Sequence, residues 1–173
     1  CKNGFNKLVV YKDPKMHYNA WDIKGTYMNK KPTAVSLVTS KSYIDGPDVV
    51  MENSYVYKNS TINQKVILRG DLINFDTNAD WNEKHKMLRA EFEPTIFSDK
   101  VNCDIQFGSI DRSTKNDTSV EKAQYEVCAH KYITVGENDG YFTLFNDCKY
   151  GHRVKEGLIS LNLLRSPKYP DPM

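Results

Sequence analysis

The 173-residue sequence has four cysteines, and no two of them form a CxxC pair. That argues against a zinc ribbon or a redox dithiol. No apolar stretch approaches the roughly 18 residues that a helix needs to cross a bilayer, so no membrane partner is expected. An excess of one charge is missing too: 24 Lys and Arg stand against 22 Asp and Glu, a net charge of +2. With no basic cluster interleaved with aromatics, the chain lacks the footprint of a nucleic-acid binder. It also lacks internal repeats, low-complexity tracts and linkers. The opening CKNGFNKLVV has no initiator Met and no signal or transit pattern. The chain is therefore expected to be a piece of a longer one, with chemistry left behind in the remainder.

The composition, 39% apolar and 27% charged, is that of a soluble globular protein. Its dominant pattern has a period of two. VNCDIQFG (101–108) alternates Val101, Cys103, Ile105 and Phe107 with Asn102, Asp104 and Gln106, which marks a strand with one buried face. MLRAEF (87–92) does the same with Leu88, Ala90 and Phe92 inward, and QYEVCA (124–129) with Tyr125, Val127 and Ala129. GYFTLFND (140–147) and GLISLNLL (157–164) are longer and more apolar, as central strands are. Earlier strand candidates are residues 6–11, 20–27, 33–44, 49–57 and 61–75. Gly, Asp and Asn fall between the runs in DGPD (45–48), ENDG (137–140), KYG (149–151) and KEG (155–157). About ten strands at short spacing predict an all-β sandwich forming a single piece over residues 1–173. DWNEKHK has capping-box spacing between Asp80 and Glu83, but it lies between strands, so a bend is expected there. TSVEKAQ (118–124) predicts one helical turn, and the Pro-rich SPKYPDPM an extended tail.

FNDCKYGHR (145–153) crowds ligand-type side chains into nine positions. Asp147, Cys148 and His152 could converge on a metal, yet a zinc site needs three or four held ligands and a supporting shell. Cys148 with His152 could make a thiol nucleophile, but it needs a third group orienting the His. The other histidines, His17, His85 and His130, have no sequential tie to this stretch. Cys103 and Cys128 lie in alternating runs and read as buried free thiols, which favours a reducing compartment. The sequons at Asn59 and Asn116 carry little weight. Trp21 and Trp81 could be sugar-stacking platforms, although burial at a sandwich rim is the commoner fate. Among 22 carboxylates no pair stands out as glycosidase machinery.

Several ordered motifs together carry a resemblance: DWNEKHKMLRAEF, IQFGSIDRST, DTS, AQYEVCAHKY, NDCKYG and LNLLRSPKYPDP. From about Asn74 to Pro172 the chain resembles the C-terminal β-domain of glycoside hydrolase family 38, the cytosolic and vacuolar type of α-mannosidase and its bacterial relatives. A weaker echo lies in FNKLVVYKDPKMHYNAWDI, and residues 28–73 match only in being strand-like. The resemblance implies a large supersandwich of the galactose-mutarotase-like group, of which this is a partial domain. It implies a retaining parent enzyme acting on mannose-containing glycans, with its Asp nucleophile and zinc on an N-terminal catalytic domain that is the chain's first partner. No cofactor is expected in this piece, which should be inactive alone and able to pair with a copy of itself. A cytoplasmic or vacuolar location follows. It also implies that Arg165, Asp147, Lys149, Asn19 and Asp22 lie near substrate, with Cys148 a loop filler. Departures exist: Lys115, Asn116 and Val120 stand where relatives carry His, Arg and Trp, and Asn19 replaces an Asp. A free-standing carbohydrate-binding module working through Trp21 or Trp81 is the alternative, and a metal or thiol enzyme centred on Cys148 a second rival.

Overall fold

The computed structural model describes residues 5–14, 18–137 and 140–168. Fourteen strands run through it in chain order: β1 Lys7–Lys12, β2 Thr33–Ala34, β3 Ser36–Asp45, β4 Asp48–Tyr57, β5 Ser60–Arg69, β6 Leu72–Asp80, β7 Lys86–Phe92, β8 Lys100–Ile105, β9 Gly108–Ser113, β10 Val127–Cys128, β11 Tyr132–Glu137, β12 Gly140–Phe145, β13 Gly151–Lys155 and β14 Leu158–Arg165. The only helical pieces among the described residues are a 3-10 turn, Gly25–Asn29, and one short helix, α1 Ser119–Ala123. The all-β expectation holds, and none of these helices is long and apolar enough to cross a membrane. The chain divides into two compact units, residues 1–32 with 85–173, and residues 33–84.

In the first unit β10, β13, β14, β7 and β1 lie side by side in that order, and β12, β11, β8 and β9 form a second sheet. Every pairing with a described register is antiparallel. One face of the five-strand array is apolar: Leu8, Val10, Leu88, Ala90, Phe92, Ile159, Leu161 and Val154 are buried there. The second sheet contributes Val101, Cys103, Ile133, Val135 and Leu144 to the core, and Phe92 meets Phe142 at 6.0 Å between ring centroids. The 3-10 turn covers part of the other face, where Tyr27 packs with Val9, Tyr11 and Met87. Thus MLRAEF is buried on both sides, Met87, Arg89 and Glu91 included, where alternation predicts one buried face.

Several expectations are corrected. Residues 20–27 form a turn and the start of the 3-10 segment, because the chain there must fold back over β1 and β7. Phe107 occupies a tight turn at φ 62 and is fully exposed. GYFTLFND is an edge strand, leaving Tyr141 and Phe145 exposed. QYEVCA shortens to two strand residues, though Val127 and Ala129 are buried as expected. The helical turn at 119–123 is present. Thr118 Oγ1 accepts the Glu121 amide at 3.2 Å while the Glu121 carboxylate accepts the Thr118 amide at 3.0 Å, a complete capping box. The extended tail and His17 fall partly or wholly outside the described residues, as does Cys1.

The second unit is a meander of β3, β4, β5 and β6 in sequential order. Sequence reading takes residues 61–75 as one strand. A two-residue turn at Gly70 (φ 57) and Asp71 splits them into β5 and β6. The bend at 81–84 is as expected, but Glu83 does not cap a helix: its carboxylate accepts the Asn59 amide at 3.1 Å and Ser60 Oγ at 3.4 Å. Trp81 stacks on Tyr57, with 6.2 Å between centroids and 8° between planes.

Candidate functional site

The antiparallel register of the five-strand array sends β1, β10 and β14 out at the same edge where β7 and β13 enter. Lys12 lies opposite Lys86, Arg165 opposite Met87, and Cys128 opposite Gly151. Loop residues 13–14 and 18–24, 129–131, 146–150 and 166–168 therefore share one edge; they carry Asn19, Asp22, Asp147 and Lys149, and Arg165 ends β14 beside them. Backbone bonds lace it: the Asp13 amide donates to the His85 carbonyl and the His85 amide to the Ser166 carbonyl, both at 2.9 Å.

Arg165 is the organiser of one half of this edge. Its Nε donates to Asp13 Oδ2 at 3.0 Å and its Nη2 to Asp13 Oδ1 at 3.2 Å, a bidentate fork, and Nη2 also donates to the Asp22 carbonyl at 2.7 Å. Asp13 is 1% exposed. Three of the five guanidinium donors are thus spent inside the chain, tying Asp13 and Asp22 to the end of β14. Asn19 is buried in the same segment. The Asp22 carboxylate accepts the Ile23 amide at 2.8 Å. Trp21, expected to be buried, is 78% exposed. A turn closed by the Trp21 amide on the Tyr18 carbonyl at 2.9 Å turns the indole outward.

The other half is the loop 146–150. Asn146 fixes it: Oδ1 accepts the Lys149 amide at 2.6 Å and Nδ2 donates to the His130 carbonyl at 3.1 Å. The side chain of Asp147 is 98% exposed and 3.4 Å from Lys131 Nζ, which also donates to the Asp147 carbonyl. Cys148 is an exposed free thiol. His152 is fully buried in β13, its Nδ1 3.3 Å from the Tyr150 carbonyl and its Nε2 without a hydrogen-bond partner. Burial drives its pKa down to about 4. Alternation along β13 puts the imidazole into the apolar core, while Cys148 and Asp147 stay on the surface. The three do not gather, and neither a Cys–His dyad nor a shared metal site forms from them. Among the described residues no three His, Cys, Asp or Glu side chains come together to hold a metal ion.

Sequence reasoning missed what lies behind this edge. Arg89 is fully buried, with Nη2 2.8 Å from Glu126 Oε1 and its guanidinium over the rings of Tyr27 (5.0 Å) and Tyr11 (5.8 Å). The Tyr27 hydroxyl donates to the same Glu126 oxygen, and Tyr11 donates to Glu91 Oε1 at 2.7 Å. Burial raises the pKa of both tyrosines far above the ordinary phenol value. They are hydrogen-bond donors, not acids. Asp13 and Asn146 were missed as well. Asp13 had no local signal; Asn146, preceding Asp147 in a turn, carried the Asx-turn chemistry that would have found it. Two clefts, of about 320 and 580 Å³, share Phe97, Glu156 and Gly157 and open at the opposite end of β13 and β14.

The family model described as glycosyl hydrolases family 38 C-terminal domain matches residues 2–173. Alpha-mannosidase G of Dictyostelium discoideum is 38% identical over 174 residues, covering 96% of this chain and 16% of that protein. The alpha-mannosidase of Saccharomyces cerevisiae is 32% identical over 181 residues, covering 98% and 17%. The chain thus spans about one sixth of the relatives it matches. In fold it is similar to an alpha-mannosidase crystal structure from Enterococcus faecalis, with a TM-score of 0.77 at 12% identity over 94% of this chain and 22% of that one.

Proposed function

This chain belongs to the C-terminal domains of glycosyl hydrolase family 38, and on that premise we propose that it is the C-terminal β-domain of an α-mannosidase that releases terminal α-mannose from glycans. The observation that carries this reading is the match of nearly the whole chain to proteins named alpha-mannosidases, of which it spans 16–17%. Retaining hydrolysis needs two free carboxyl groups about 5 Å apart across the scissile bond. The buried carboxylates Asp13 and Glu91 and the half-buried Glu126 are otherwise engaged: Asp13 by Arg165, Glu91 by Tyr11, Glu126 by Arg89 and Tyr27. Among the described residues no zinc ligand set gathers either; in this reading the nucleophile and metal belong to a catalytic domain elsewhere in the parent polypeptide, and this piece is inactive alone.

Within that reading the edge bearing Asn19, Asp22, Lys149 and Arg165 faces the mannose site. Arg165 acts as a positioning residue, since its fork is spent on Asp13; Lys149 and Asp147 supply the donor and acceptor that reach a sugar hydroxyl. The exposed Trp21 on the same edge favours a second reading, in which the chain binds sugar by itself through an aromatic platform.

Cleavage of an aryl α-mannoside tests the first reading. The full-length polypeptide is expected to hydrolyse it, and residues 1–173 alone are not. Activity in the isolated chain, or its absence from the full-length protein, sinks it. Calorimetric binding of mannose by the isolated chain, lost in Trp21→Ala, would favour the second.

A further inference from the structure

The hairpin joining β13 to β14 turns through Glu156 at φ 54 and Gly157 at φ 82. Two successive residues in the left-handed region make the tightest kind of strand reversal. The bare Gly157 is also a seat. A Cβ there would fall 2.6 Å from Cε1 and 3.1 Å from Cδ1 of Phe97, so the ring rests where a side chain would otherwise be. Phe97 nevertheless stays 62% exposed. A ring held on one side and open to solvent is a platform rather than a core residue.

Phe97, Glu156 and Gly157 are the common wall of the two clefts at this end. In the larger cleft polar groups are already matched: Lys115 pairs with Asp99 at 2.6 Å, and Glu137 accepts Ser98 Oγ at 3.3 Å. The cleft of about 320 Å³ is different. Lys155 lies opposite Leu158, and Arg153 opposite Ser160. Arg153 and Lys155 therefore share the face of the sheet that Val154 and Ile159 turn away from. Lys155 is 4% exposed, and its Nζ donates to the Ser113 and Lys115 carbonyls at 3.1 and 2.7 Å, which fastens the rim. Arg153 lines the cleft half-buried, and its Nε is buried without a hydrogen-bond partner. Directly opposite, Ser160 Oγ is buried and unpartnered as well. Folded proteins rarely leave such groups unmet.

Charge decides what fits. Arg153 and Lys155 are balanced by Glu93 and Glu156 in the same lining. An anion would face two carboxylates there, and a cation two basic side chains. A neutral molecule rich in hydroxyls suits both signs, because each hydroxyl gives and takes a hydrogen bond. A volume of about 320 Å³ is at the lower end of small-molecule sites, which run from about 300 to 1,000 Å³. We propose that this cleft binds one pyranose ring of a glycan, its C–H surface on Phe97 and its hydroxyls bonded by Arg153 and Glu156. The site lies at the opposite end of β13 and β14 from the edge bearing Arg165 and Lys149. It rests on this chain's own residues and not on the parent's activity.

Calorimetry on the full-length protein tests it, with the methyl glycosides of mannose, glucose, galactose and N-acetylglucosamine titrated one at a time. Phe97→Ala removes the platform. The ring is mostly exposed, so the melting temperature is expected to hold. Arg153→Met removes the donors, keeps an apolar stem and probes the same cleft independently. At least one glycoside is expected to bind the unaltered protein with a component that each variant weakens about tenfold, the scale of one aromatic contact or one hydrogen bond to a charged group. Heats that are the same in the unaltered protein and in both variants, for every glycoside, overturn the proposal. So does the absence of binding by any of the four. Cleavage of an aryl α-mannoside by the same samples reports on the proposed activity alone.

Discussion

Arg165 and Asp13 are 152 residues apart in sequence and share one buried ion pair. Removing one partner of such a pair leaves a desolvated charge. Asp13→Ala is therefore expected to cost about 3 kcal/mol, while Asp13→Ala with Arg165→Ala costs less than the sum of the two single changes. Denaturant midpoints of the four species close the cycle; strict additivity would show that the fork contributes nothing. His152 gives a pH signature. Its folded pKa is about 4, against about 6.5 in an unfolded chain. As pH falls the unfolded chain takes up this proton first, so stability is full above about pH 6.5 and drains away down to about pH 4, by an amount on the order of 3 kcal/mol. His152→Leu is expected to flatten that part of the stability profile, and an unchanged slope in the variant would assign it to other groups. The side chains that matter at this scale were half legible. Arg165 and the NDCKYG loop stood out in the sequence. Asp13 did not, since an Asp before a Pro looks like any turn until the chain returns to meet it.

Strands were legible where one face alone is buried, as in VNCDIQ. They were misread where local chemistry was overruled by topology. MLRAEF carries Arg89 and Glu91 on its polar side, yet the 3-10 segment folds over that side and buries both against Tyr11, Tyr27 and Glu126. The alternation was right and the solvent was absent. A turn was missed where a non-Gly residue takes the left-handed conformation inside an alternating run, as Phe107 does at φ 62. Gly136 shows the opposite case, a glycine in a strand with a geometric reason. At φ 139, a Cβ there would sit 2.2 Å from the Gly140 carbonyl oxygen and 2.8 Å from Tyr141 Cα. Both are backbone atoms of the paired strand and cannot turn away. Gly136→Ala is expected to cost roughly 2–3 kcal/mol through strain and clash in the β11–β12 hairpin, read as a drop in melting temperature. A variant as stable as the parent sequence would mean that the hairpin repairs itself by a register change.

At the scale of the whole molecule, the two carboxylates buried among the described residues have partners within the chain: Asp13 meets Arg165 and Glu91 meets Tyr11. The row Ile44, Val49, Leu68 and Ile73 across β3–β6, each 40–79% exposed, adds a physical liability when the piece is taken alone, because a contiguous exposed apolar row favours association. Residues 1–173 in isolation are expected to associate as concentration rises. Ile44→Lys with Leu68→Lys, which breaks the most exposed row, is expected to keep them dispersed in sedimentation velocity. Unaltered association in that variant would place the sticky surface elsewhere.

The sequence by itself determined the class of fold, the family and the list of residues worth watching. Period-two patterning and turn chemistry are local, and ordered motifs over a hundred residues are specific. Only the tertiary structure decided which of those residues meet. Strand order at the sheet edge brings Asp13 and Asp22 to Arg165, strand alternation pulls His152 away from Cys148, and a crossing segment turns the polar face of β7 into core. Each is a contact between residues far apart in the chain or set by which side of a strand is covered, and neither is written in any short stretch of sequence.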